Sequence, residues 1–227
     1  MCIAVLLLAA AVCLYLFILR KGKGEETPKE ESRVPAFAGS PYVEVNDNRP
    51  YFTEEEKAAE TFESYSEPDA LGRCGTAYAC IDRTLMPTEE RGQIGSIRPS
   101  GWVQAKYEGI VDSSPPYLYN RCHLIAYCLT AENANEKNLI TGTRYLNTEG
   151  MLPFEEKVAG YLDQNDHHVL YRVTPDYEGD ELVARGVLIE AYSVEDKGQG
   201  ICFCVYCYNV QPGIVIDYAT GESKRSD

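Results

Sequence analysis

The sequence predicts an α+β domain built on an antiparallel sheet with flanking helices. Two observations carry this. Residues 169–174, 182–192 and 201–210 are three strand-like segments joined by acidic, glycine-containing turns such as Glu178-Gly179-Asp180 and Asp196-Lys197-Gly198. Short connections of that kind join antiparallel neighbours, because a parallel pair needs a long crossover. Ahead of them, Phe154 to Leu162 follows Pro153, a good first-turn residue, and is expected to be helical.

The remaining elements follow in chain order. Cys2 to Leu19 is an uncharged apolar run of 18 residues, followed by Arg20, Lys21 and Lys23. It is long enough to span a bilayer. No basic residue precedes it and no convincing cleavage site follows, so residues 1–20 are expected to be an uncleaved transmembrane anchor rather than a signal peptide. Residues 21–40 are rich in Lys, Glu and Pro, the composition of a disordered linker. The rest, 41–227, is one domain with enough chain for a real core.

Within it, Tyr42-Val43-Glu44-Val45 alternates like a short strand, and Thr53 with Glu54, Glu55 and Glu56 opens a helical patch. Gly75 to Ile81 and Trp102 to Tyr107 are expected strands. Leu118 to His123 is a further strand, Leu124 to Leu129 continues as an apolar run, and Asn133 to Asn138 is a polar loop. Thr143 to Asn147 is expected to begin or belong to a helix. Gly186, inside a strand, marks a bulge or a close contact.

Formal net charge is -14, which excludes a globally basic field that would draw in nucleic acid. Of the three histidines, only His123 sits in a setting that points to chemistry: it follows Arg121 and Cys122, opens an apolar run, and precedes Asn138 and Asn147. Histidine moves protons near neutral pH. Asparagine offers a neutral oxygen to a hard cation. Alone, a histidine beside an arginine is more often a structural, hydrogen-bonded residue.

Asn120-Arg121-Cys122-His123 resembles the Asp-Arg-Gly-His signature of the DNA/RNA non-specific endonucleases, a ββα-metal (His-Me finger) family. The closest likeness is to membrane-anchored nucleases of DNA uptake in Gram-positive bacteria. Asn138-Leu139-Ile140 with Asn147 is similar to the family's paired asparagines, and Arg98-Pro99-Ser100-Gly101-Trp102 to its Pro-Ser-Gly-Trp segment. Residues 71–79 resemble its opening strand and residues 210–222 its C-terminal end. Here Asn120 stands where the signature has Asp, and Cys122 where it has Gly.

The resemblance implies a ββα-metal core and a metal-dependent endonuclease acting on DNA, RNA or both. It implies His123 as general base and Asn147 holding Mg2+, with Mn2+ as a substitute. Asn138 would orient His123 or the phosphate. Glu155 would support the metal waters, or else is an exposed helix acid. Arg121 would be part structural, part phosphate-facing. Arg98, Lys106, Arg121 and Arg144 could form a local basic cleft, each cation having a solvated or paired reading beside it, and Asn120 joins Arg98 and Arg144 as an expected substrate-binding residue. The family would place the domain outside the cell, whereas Arg20, Lys21 and Lys23 favour the cytosol by the positive-inside rule. An upstream start with its own basic residues would reconcile the two.

Four other readings remain. His167-His168 precede a strand, where neighbours point to opposite faces, so a polar turn is favoured over a metal site. Cys202, Cys204 and Cys207 suggest zinc, but their apolar, aromatic surroundings favour core packing. A Cys-His hydrolase using Cys122 or Cys128, and a catalytically inactive nucleic-acid or partner-binding module, are the alternative functions.

Overall fold

The computed structural model describes residues 34–226 apart from residue 59. The expected anchor at 2–19 and most of the expected linker lie outside these residues. Among the described residues no helix is long and apolar enough to cross a membrane.

The chain folds as α+β around a six-stranded sheet. Its strands are β1 (Tyr42–Glu44), β2 (Phe62–Tyr65), β3 (Ala77–Ile81), β6 (Val169–Asp176), β7 (Gly186–Ser193) and β8 (Cys202–Tyr208). Their order is β1-β8-β7-β6-β3-β2, and every neighbouring pair is antiparallel. Two hairpins stand apart: β4 (Tyr119–His123) with β5 (Leu139–Thr143), and β9 (Ile214–Ile216) with β10 (Ser223–Arg225). The helices are a short α1 (Tyr127–Thr130) and α2 (Leu152–Gln164), the latter entered through a π-helical turn, Leu146–Met151.

Period-2 alternation sorts the two faces of the sheet. Ala77, Ala79 and Ile81 of β3 face the main core with Tyr171, Val173, Ile189 and Phe203, covered by Leu146, Met151, Val158 and Leu162. Tyr78 and Cys80 face the other way, onto Phe52 and Leu170. On that second face Arg172 is held by both oxygens of buried Glu190 (2.7 and 3.0 Å) and by Glu56 (2.9 Å). A buried guanidinium is tolerated there because its charge is paired and its donors are used. Gly186 is a close contact, as expected: an added Cβ would lie 2.4 Å from the Tyr206 ring and 2.5 Å from the Cys207 carbonyl oxygen.

Several expectations are corrected. Residues 34–40, assigned to the linker, pack on the body: the Phe37 ring lies edge-on to Tyr145 and Tyr208, and Tyr208 donates to the Pro35 carbonyl. One aromatic anchor outweighs a polar composition. The helix expected from Thr53 is a single 3-10 turn, although Thr53 and Glu56 do form the reciprocal capping box. Residues 102–107 form no strand, only the bridge Lys106↔Tyr117. The reason is Gln104, whose side chain accepts from Tyr119 N–H (3.0 Å) and donates to Tyr119 C=O (2.6 Å). An amide side chain thus occupies the ladder position a strand would take.

Candidate active site

The site is built on the β4–β5 hairpin and the helix that follows it. The hairpin pairs from Tyr119↔Thr143 to His123↔Leu139. The Thr143 hydroxyl accepts from Leu146 N–H (2.9 Å) and donates to Val210 C=O (2.7 Å), which turns the chain into the helical segment. Pro153 then interrupts the ladder, since it has no N–H to give. The turn before it opens to π spacing, with Leu152 N–H reaching back five residues to the Asn147 carbonyl. Such wide turns recur at functional sites. A cleft of about 900 Å³ opens between hairpin and helix, lined by His123, Asn120, Asn147, Glu155 and four arginines, Arg91, Arg98, Arg121 and Arg144.

His123 is buried at the end of β4. Its Nε2 lies 2.8 Å from the Asn133 carbonyl oxygen. A carbonyl only accepts, so Nε2 carries the proton and Nδ1 is left as the basic nitrogen. Nδ1 faces the guanidinium of Arg91 at 3.2 Å. Burial, aided by the Arg91 charge and opposed by the Asn133 hydrogen bond, pushes His123 down to about 4. At neutral pH the ring is therefore an uncharged base.

Asn147 and Glu155 sit eight residues apart on the π turn and α2, and both line the cleft. The Asn147 Oδ1 accepts from the buried Cys122 thiol at 3.1 Å. Glu155 is 9 % exposed and is raised to about 8 by burial, with Arg91 opposing and Glu156 reinforcing. It is the sole carboxylate lining the cleft among the described residues.

This donor set fits a hard divalent cation. One amide oxygen and one carboxyl group, which a bound cation would hold ionised, open into a solvent-accessible cleft and suit Mg2+, which keeps several waters and takes few protein ligands. A structural zinc site is a closed tetrahedron of nitrogen and sulfur, which this set is not. Among the described residues no group of three or more His, Cys, Asp or Glu is arranged to hold a metal. Cys202 and Cys204 face one side of β8 and Cys207 the other, so those thiols cannot converge. His167 bonds to Tyr161, and His168 to Glu195 and Thr61, as separate polar contacts.

The other expected residues divide. Asn120 and Arg144 line the cleft. Arg98 and Arg121 line it too, but both are engaged. Arg121 donates to the Ile97 and Gly95 carbonyls (2.6 and 2.8 Å), stacks on Trp102 at 4.3 Å, and is lowered by burial and by neighbouring Arg98. Arg98 donates to the same two carbonyls. Together they pin the 95–97 loop as one wall. Among the described residues none of the four guanidinium groups is ion-paired to a carboxylate. Lys106 lies outside the lining and stacks on Tyr117.

Asn138 is a correction. It is fully buried, outside the cleft, with its amide bonded twice to the Ile125 backbone (2.9 Å each way). Among the described residues its side chain makes no hydrogen bond to His123, and it holds instead the chain just beyond the base. The nucleophile reading also fails: burial and Glu155 raise both Cys122 and Cys128, the latter to about 11, so neither thiol is activated. Sequence reading missed Arg91. Its stretch, Glu89-Glu90-Arg91-Gly92, is locally an ordinary charged loop, and only the fold carries it 32 positions to His123.

Comparison with known proteins bears on the family and the overall fold. The chain spans about a third of the length of a curated relative, a deoxyribonuclease of Streptococcus dysgalactiae subsp. equisimilis, and is 36% identical to it over 110 residues, which are 46% of this chain and 32% of that one. Its fold is similar to the crystal structure of NucA from Streptococcus agalactiae with magnesium ion bound, at a TM-score of 0.73 and 27% identity, covering 86% of this chain and 91% of that one. It is also similar to Sda1 nuclease with bound zinc ion, at a TM-score of 0.68 and 26% identity, covering 82% and 97%. Residues 52–195 match the DNA/RNA non-specific endonuclease model over more than half of the sequence, and the chain belongs to that family.

Proposed function

We propose that this protein is a metal-dependent endonuclease that hydrolyses phosphodiester bonds of DNA, RNA or both with little sequence preference. The observation that supports this best is a neutral, buried histidine whose basic Nδ1, faced by Arg91, shares one cleft with an amide oxygen, a carboxyl group and four guanidinium groups, none ion-paired to a carboxylate among the described residues. Asn147 and Glu155 would hold the cation, Mg2+ in the first instance. When bound, the cation would polarise the scissile phosphate and offset charge on the leaving oxygen.

His123 does the proton work. Its Nδ1 takes a proton from the attacking water, and the Asn133 carbonyl, bonded to Nε2–H, favours the imidazolium that results. Arg91 occupies Nδ1 in the resting cleft. A phosphate is a stronger partner for a guanidinium than a neutral imidazole. Arriving substrate would therefore draw Arg91 onto the phosphate and free the base in the same motion. Arg144 supplies a second cation, while Arg98 and Arg121 keep the wall rigid.

Residues 2–19 would tether this body to the cell membrane with the nuclease domain outside. Protease accessibility on intact cells tests that placement.

The decisive assay is cleavage of plasmid DNA, single-stranded DNA and RNA with Mg2+, with EDTA, and with His123→Ala. Degradation that needs both metal and His123 is expected. Folded protein that degrades none of them with Mg2+ or Mn2+ would overturn the reading in favour of a binding module. Asn120→Asp would then test whether the missing acid is the cause.

A further inference from the structure

We propose that the Cys122 thiol is a positioning residue for the cation site, fixing the Asn147 amide so that its oxygen, not its NH2 group, serves as ligand. This rests on the reading of Asn147 as a ligand. The Sγ lies 3.1 Å from Oδ1, and among the described residues it is the sole donor that reaches the Asn147 side chain. An asparagine amide presents oxygen and nitrogen ends of nearly equal shape, and only the oxygen can bind a cation. Donating its S–H, the thiol favours the oxygen end, because sulfur is only a weak acceptor for the NH2 group. The carbonyl keeps a second lone pair for another partner.

Cys122 is itself immobilised. It is 1% exposed, its single proton has the Met151 thioether at 3.5 Å as a weaker alternative acceptor to Oδ1 at 3.1 Å, and it lies in the hairpin paired with Ile140. A Cβ added at Gly142 would come within 2.6 Å of the Cys122 Cβ. The cysteine is thus accommodated by an absent side chain on the facing strand. The donor stands on one rigid element, the hairpin, and the acceptor on another, the π turn. The bond sets the ligand relative to the strand that carries His123. Groups that orient a metal ligand typically change affinity by about tenfold or more when removed.

The test is Mn2+ binding by calorimetry to the full chain and its variants, alongside the Mg2+ concentration for half-maximal cleavage. Cys122→Ala should raise the Mn2+ Kd about tenfold, the scale of such orienting contacts. Cys122→Ser, which keeps a donor, should restore it to within about threefold of the parent. The half-maximal Mg2+ concentration should move in parallel, with the rate at saturating Mg2+ largely recovered. In an Asn147→Ala background, Cys122→Ala should do nothing further. Cys122→Val, which fills the site without a donor, carries the test if the alanine variant does not fold. Parent-like Mn2+ affinity in a folded variant lacking the donor, or additive effects with Asn147→Ala, would overturn the proposal and leave the ligand reading intact. Parent-like affinity in Asn147→Ala itself would overturn the ligand reading and the proposal together.

Discussion

At the scale of single residues, the chemistry turns on how His123 is kept uncharged. Its pKa is lowered from 6.5 to about 4 because the folded chain buries it beside a fixed cation. The unfolded chain binds a proton near 6.5 and the folded chain does not until near 4. Stability from this group is therefore complete above about 6.5 and is lost as pH falls towards 4. His123→Gln, unable to titrate, should lose less melting temperature than the parent between pH 7 and 4.5; identical pH profiles would show that the ring is not held neutral. Arg91 is the second lever. Arg91→Ala should raise the His123 pKa, read by NMR, and lower kcat/KM by about 100-fold, the scale of one lost transition-state donor. An unchanged titration and rate would remove Arg91 from the mechanism. The expectation that His123, Asn147 and Glu155 share a site came from the family resemblance, which attaches a chemistry to each residue type, and all three line one cleft. Asn138 misled for the same reason: its type fits a phosphate, yet a zero-exposure pocket commits both ends of its amide to Ile125.

At the scale of elements, strands that are long, apolar and bounded by turn residues were legible and short ones without those marks were not. β6 shows its period, and β6, β7 and β8 all show apolar and aromatic runs joined by acidic, glycine-containing turns. β5 is buried at all five positions and contains Gly142, so Leu-Ile-Thr-Gly-Thr carries neither alternation nor length. Yet β5 is half of the hairpin that holds His123. Gln104 shows the opposite failure: alternation predicts a strand, and one side chain caps Tyr119 instead. That substitution of amide for backbone has a measurable consequence. Gln104→Ala leaves a donor and an acceptor of Tyr119 unpaired at the base of the hairpin, at about 1–3 kcal/mol for each group that water fails to reach. Urea denaturation should show a lower midpoint with an unchanged slope. An unchanged midpoint would mean that solvent replaces the amide and that the hairpin is held by its own ladder.

At the scale of the whole molecule, an acidic protein has to approach an acidic polymer. The net charge of -14 repels nucleic acid at long range, whereas the guanidinium groups of Arg91, Arg98, Arg121 and Arg144 attract it only within the cleft. The two fields have different reach, so salt separates them. Screening lengths fall from about 30 Å at 0.01 M to about 10 Å at 0.1 M. Raising salt over that range removes the repulsion of the distant surface while contacts of a few ångströms persist. Further salt then weakens the cleft itself. At fixed Mg2+, kcat/KM on DNA should therefore pass through a maximum at intermediate ionic strength rather than fall from the lowest salt onward. Arg144→Glu should lower the whole curve and keep its rising limb, because that limb belongs to the body's charge and not to the site. A monotonic decline in the parent would mean that the cleft arginines govern the approach from a distance, and that the acidity of the rest of the surface is irrelevant to encounter.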